Sequence, residues 1–139
     1  MIAHEVRMLG TVRTLDPEYR AFAEQRVREV AQGTASALGA VAEVIWTPGY
    51  PVTVNSPQET IHAAEVARSV SSDVNDEVDP IMPAEDFSYM LEERPGAYIF
   101  MGNGDSAACH HPAYNFNDDA IPFGASWYSG MIEARMPAG

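Results

Sequence analysis

The sequence predicts an α/β chain built from two unequal pieces, and three observations carry that prediction. Two segments of alternating polarity flank a helical one before residue 48. A breaker cluster, Pro48-Gly49-Tyr50-Pro51, coincides with an abrupt change in charge. A continuous apolar run, Ala97-Tyr98-Ile99-Phe100-Met101, lies between two glycines, as in a strand buried on both faces. With 139 residues, 46% apolar and 20% charged, the chain has material for a core and is not disordered. One cysteine, Cys109, excludes a disulfide scaffold.

In order along the chain, His4 to Arg13 alternates, with Val6, Met8, Gly10 and Val12 on one face, and reads as a half-buried strand. Asp16-Pro17-Glu18 opens a helix: Asp16 is a good N-cap, Pro17 sits where its missing N–H costs nothing, and Glu18 favours the positive end of the dipole. The expected inner stripe is Tyr19, Phe22, Ala23, Val27, Val30, Ala31 and Leu38, and Gly39 ends the helix. Val41 to Thr47 alternates again, so that residues 1–47 read as β-α-β.

After the breaker, Ser56-Pro57-Gln58-Glu59 has the form of a capping box, and a helix follows to about Ser72 with Ala63, Val66, Ala67 and Val70 inward. Asp73 to Asp79 is an acidic loop. Ala84 to Glu92 reads as a short helix with Phe87, Met90 and Leu91 inward, stopped by Arg94-Pro95-Gly96. The apolar run 97–101 leads into a polar loop, Gly102 to Asp119. A last helix from Pro122 to about Ala134 is expected to bury Phe123, Trp127, Met131 and Ala134.

Twenty acids face eight bases, all arginine, for a net charge of −12. Residues 1–50 hold five arginines and six acids, net −1, whereas residues 51–139 hold three arginines and fourteen acids, net −11. A nucleic-acid backbone or an anionic membrane surface would be repelled by such a chain, so neither is expected as a partner. No apolar run reaches ~18 residues, and the start Met1-Ile2-Ala3-His4-Glu5 has no export signal, which makes a cytoplasmic location the expectation.

Candidate chemistry concentrates in the loop after the apolar run, because ligand sites in α/β sheets lie beyond the carboxyl ends of strands. It holds Cys109-His110-His111-Pro112 and Asn115-Phe116-Asn117-Asp118-Asp119. An imidazole on such a loop can ligate a metal while its second nitrogen is held by a neighbour. Adjacent histidines in a polar loop are also commonplace surface residues, and Glu85-Asp86 at a helix start serve equally as dipole-favoured acids. Cys109 beside His110 makes a poor thiol nucleophile, since neighbours on an extended loop point apart.

Four motifs in order carry a resemblance. They are Gly10-Thr11-Val12-Arg13-Thr14-Leu15-Asp16-Pro17-Glu18, Gly49-Tyr50-Pro51-Val52-Thr53-Val54-Asn55, Met82-Pro83-Ala84-Glu85-Asp86-Phe87-Ser88-Tyr89, and Gly102-Asn103-Gly104-Asp105 with His110-His111-Pro112-Ala113-Tyr114-Asn115-Phe116-Asn117-Asp118. Together the sequence resembles the metal-dependent aminoacylase/carboxypeptidase family, in its branch of hippurate hydrolase and the indole-acetyl-amino-acid hydrolases. The resemblance implies an amidohydrolase of N-acyl amino acids or small peptide-like amides. Residues 1–50 would be the second half of a ferredoxin-like lid, and residues 51–139 the C-terminal part of a zinc-aminopeptidase-type α/β/α catalytic domain. Two divalent metals, zinc with manganese as the alternative, and homo-oligomerisation through the lid sheet are implied likewise.

By the same resemblance His110 is a metal ligand and Arg13 grips the substrate carboxylate through its planar fork. Gly102 lets the chain approach substrate closely, and Glu85 and Asp86 support the metal cleft. Departures from the family pattern are Pro83 for glycine, Cys109 for leucine and Asn115 for aspartate. The family's other ligands and its glutamate base precede the motifs found here, so no catalytic base is expected in this segment and the chain alone is expected to be inactive. The alternative is a truncated, non-catalytic interaction or dimerisation module.

Overall fold

The computed structural model describes residues 3–136. Met1 and Ile2, read above for an export signal, lie outside the described residues, as do residues 137–139 at the end of the second predicted piece. The described residues form four α-helices: α1 (Pro17–Ala37), α2 (Pro57–Val70), α3 (Phe87–Glu93) and α4 (Ile121–Arg135), the last entered through a 3-10 turn at Asp118–Ala120. None is long and apolar enough to cross a membrane.

The predicted α/β class is overturned: no strand forms among the described residues, so neither the β-α-β half of a ferredoxin-like lid nor the sheet of an α/β/α domain is seen. The physical reason is that alternation specifies two faces but not a neighbour, and a strand exists only when another backbone accepts and donates along its edge. Val41 to Thr47 keeps its period of two, with Ala42, Val44 and Trp46 half-buried and the intervening residues exposed, yet no ladder forms. The first segment is exposed on both faces, Met8 at 88% and Leu9 at 85%. In the run 97–101, Tyr98 and Phe100 meet edge-on at 5.3 Å, and no strand ladder forms there either.

Two compact units divide the chain, Met1–Val52 with Pro80–Ser88, and Thr53–Asp79 with Tyr89–Gly139. In the first, α1 begins where Asp16 Oδ1 accepts from the N–H groups of Glu18 (2.7 Å) and Tyr19 (3.3 Å). It ends in a Schellman motif: Gly39 N–H donates to the Ser36 carbonyl and Ala40 N–H to that of Ala35, with Gly39 at φ 73°, where a Cβ would be strained. The expected inner stripe is inward only in part. Tyr19, Phe22, Val27, Val30 and Leu38 are exposed, Ala23 and Ala31 are half-buried as expected, and Glu24 and Arg28 join them on the half-buried side. Arg28 explains the choice of face, because its guanidinium donates to the Val44 carbonyl at 2.8 Å while pairing with Glu24 at 2.7 Å.

The second unit is built on α2 against α4. Ala63 and Ala64 are buried on α2, and Trp127 Nε1–H donates to the Ala63 carbonyl at 3.0 Å. Gly130 lets the helices approach, since a Cβ there would stand 2.9 Å from Val66 Cγ1. Glu59 and Arg135 pair at 3.5 Å at one end of the contact. Ser56 begins α2 as expected but makes no capping box: its hydroxyl accepts from Gly96 N–H at 3.2 Å, and its own N–H donates to the Gly96 carbonyl at 2.9 Å. A tertiary contact has taken the group that local sequence assigned to the helix end. One residue on, Asn55 brackets Tyr98, accepting from its N–H at 2.7 Å and donating to its carbonyl at 2.9 Å.

Candidate functional site

The loop after the apolar run is held at its base by one side chain. Asn103 Nδ2 donates to the Asn115 carbonyl at 2.8 Å, and Asn103 Oδ1 accepts from Asn117 N–H at 2.7 Å. Ser106 Oγ adds a second donor to the Asn115 carbonyl at 3.2 Å. Gly104 follows at φ 78°, the left-handed conformation that reverses the chain at once and that glycine adopts without penalty. Asn117 Oδ1 accepts from Asp119 N–H at 3.0 Å, capping the 3-10 turn that enters α4. Between these segments lies an open cleft of ≈ 550 Å³, lined by polar groups of Asn103, Asp105, Ser106, Asn115, Asn117 and Asp118, with Phe116 and Ala113.

At the loop's far end His111 N–H donates to the Ala108 carbonyl at 3.0 Å, closing a tight turn over Cys109 and His110. His110 takes φ 69°, the only non-glycine with positive φ among the described residues. Backbone strain of this kind persists only where surrounding contacts over-determine it. The two histidines differ in use. His111 Nδ1 accepts from Ala113 N–H at 3.0 Å, which in the neutral ring puts the proton on Nε2. His110 is exposed, as is Cys109.

The remaining sequence-predicted residues are placed as follows. Gly102 is exposed, with nothing within 4 Å of where a Cβ would stand. Arg13, in the first unit, is exposed and its Nη1 donates to Thr11 Oγ1 at 2.9 Å, on its own segment. Glu85 is half-buried and Asp86 exposed; the Glu85 carbonyl accepts from Ser88 Oγ at 2.7 Å, starting α3 around the fully buried Ser88. Gly102 and His110 share the second unit, and Arg13, Glu85 and Asp86 the first.

A hydrolytic metal needs three or four protein ligands converging at about 2 Å, with a water in the open position. Among the described residues no group of three or more His, Cys, Asp or Glu converges in that way. The donor set present does not fit a complete metal centre, and no catalytic step can be built on it.

The sequence profile of Peptidase family M20/M25/M40 matches residues 6–134. The chain belongs to this peptidase family. Its M20 relatives include Thermostable carboxypeptidase 2 of Saccharolobus solfataricus, 32% identical over 90% of this chain and 33% of that protein. N-acetylcysteine deacetylase of Bacillus subtilis is 32% identical over 94% of this chain and 34% of the relative. Hippurate hydrolase of Campylobacter jejuni is 31% identical over 87% and 32%. The chain thus spans about a third of the length of the curated relatives it matches. No solved structure matches it. M20 enzymes are in general metal-dependent.

Asn55 and Asn103 escaped sequence reasoning. Asn103-Gly104 reads as a turn dipeptide, which locates the reversal but not the clasp.

Proposed function

We propose that this M20 chain is the C-terminal portion of a metal-dependent amidohydrolase that cleaves N-acyl amino acids or small peptide-like amides. One observation carries the reading: the family match runs through residues 6–134 while the relatives are about three times as long. Residues 1–50 then belong to the lid and residues 51–139 to the catalytic domain. His110 supplies one ligand to a divalent metal, zinc before manganese, in a site that the rest of the enzyme completes. Arg13 binds the substrate carboxylate bidentately, a role its fork suits and for which its exposed position leaves it accessible. Gly102 borders the substrate, and Glu85 and Asp86 brace the cleft. The general base belongs to the absent two thirds, so the isolated chain binds without turning over.

Zinc titration of the isolated chain followed by calorimetry tests the ligand assignment. Weak binding that His110→Ala abolishes is expected, because a single imidazole holds the ion loosely. Tight binding of two ions would overturn the ligand count.

A second reading is favoured by a different observation. Among the described residues Ala63, Ala64 and Ala120 are the buried apolar ones, whereas Val6, Met8, Leu9, Val41 and Ile45 lie exposed in the first unit. Exposed apolar side chains of this size favour association, which suits a non-catalytic interaction or dimerisation module.

A further inference from the structure

We infer that Asn103 is the positioning residue of the His110 loop: its carboxamide ties the two ends of the loop together and thereby fixes the left-handed turn that presents the His110 imidazole. The inference rests on the proposed ligand role of His110 only for the use to which that position is put.

The geometry is that of a side chain standing in for a strand. A backbone residue in a ladder offers one acceptor and one donor side by side, and the Asn103 carboxamide offers the same pair. Its two contacts fall on Asn115 and Asn117, on either side of Phe116, which is the pattern an extended neighbour would make. No strand pairs with 115–117, so this one side chain performs the pairing. Everything from Gly104 to Tyr114 is consequently a closed loop rather than an open excursion. Ordering a loop whose ends are joined costs less entropy than ordering one whose ends are free.

Inside that loop the constraints are serial. Gly104 turns the chain at φ 78°, Ser106 Oγ reinforces the bond at Asn115, and the Ala108–His111 and His111–Tyr114 backbone bonds close two consecutive turns. His110 sits in the first of these at φ 69°. A residue with a Cβ prefers negative φ, and the turn retains it only while the ends of the loop cannot relax. Releasing the Asn103 clasp therefore changes the backbone at His110, seven residues away, although the two side chains make no contact in this chain of bonds.

The test is nuclear magnetic resonance on the full chain. Wild-type protein is expected to show a protected Asn117 amide and the strong intraresidue N–H to Hα cross-peak of positive φ at His110. In Asn103→Ala the Asn117 protection should fall about tenfold, the scale of one lost hydrogen bond, and the His110 cross-peak should weaken. Amides of α2 and α4 should stay protected, which separates positioning from general stability. Asn103→Asp keeps the acceptor for Asn117 but not the donor to Asn115, so it should restore the first signal and not the second. An unchanged His110 signature in Asn103→Ala would overturn the inference, as would an equal loss of protection throughout α4. Zinc alone is then added to the wild type: if the clasp results hold and zinc leaves the His110 signals unmoved, the ligand reading fails while the positioning inference stands.

Discussion

Asn55 holds both backbone groups of Tyr98, its Oδ1 accepting from the Tyr98 N–H at 2.7 Å and its Nδ2 donating to the Tyr98 carbonyl at 2.9 Å. With Ser56 bonded twice to Gly96, this makes the entry to α2 the anchor of the extended run 97–101. Asn55→Ala removes both partners from a half-buried peptide and should cost about 1–3 kcal/mol. Urea unfolding measures it, together with amide exchange at Tyr98, where protection should be lost first.

Gly130 and Val66 define how closely α2 and α4 can pack. Alanine at 130 gains about 1 kcal/mol in helix propensity, but its Cβ would meet the stiff, branched Val66 side chain at 2.9 Å. Overpacking costs about 1–3 kcal/mol, so Gly130→Ala should be net destabilising. Adding Val66→Ala should recover part of the loss, a non-additivity that a double-mutant cycle in thermal unfolding reads directly.

The acidic loop is tied to α2 by Arg68 and Asp76 at 2.6 Å. The hydrogen bond from Arg68 holds the Asp76 carboxyl below its ordinary value of 3.8, with a backbone bond helping. A carboxylate with a depressed folded pKa stabilises above its unfolded pKa and loses that contribution as pH falls through the folded one. Loop amides at 73–79 should therefore open as pH drops below about 4. In Arg68→Ala they should already be open at neutral pH, and high salt should reproduce part of the effect because the pair is exposed.

Exposed apolar side chains in the first unit lead to the expectation that the isolated chain self-associates. Its weight-average mass in sedimentation equilibrium should rise with concentration in the micromolar range. A constant monomer mass would remove the support for the interaction-module reading.

The helix starts and stops were legible because their signals are local. Asp16-Pro17 and Ser56-Pro57 place two starts, and Gly39 places a stop, each within one turn of the residues concerned. Strands were misread because a ladder depends on a partner that no local pattern specifies, and Val41 to Thr47 alternates without one. The capping box failed at Ser56 for a related reason: Gly96, forty residues away, claims its hydroxyl. At the candidate site, the motif located the His110 loop, while its closure by Asn103 is a tertiary use of a residue that reads locally as a turn former. The large apolar residues of the α1 stripe were misassigned, while Ala23 and Ala31 were not, because Arg28, a charged residue, reaches Val44 and turns its own face inward.

As proposed, this M20 chain carries part of an amidohydrolase site that the rest of the enzyme completes. The direct measurement is hydrolysis of an N-acyl amino acid such as hippurate by the purified 139-residue chain in the presence of zinc or manganese. No turnover above that of the metal alone is expected at any protein concentration. Turnover that scales with protein, requires the metal and disappears in His110→Ala would contradict it.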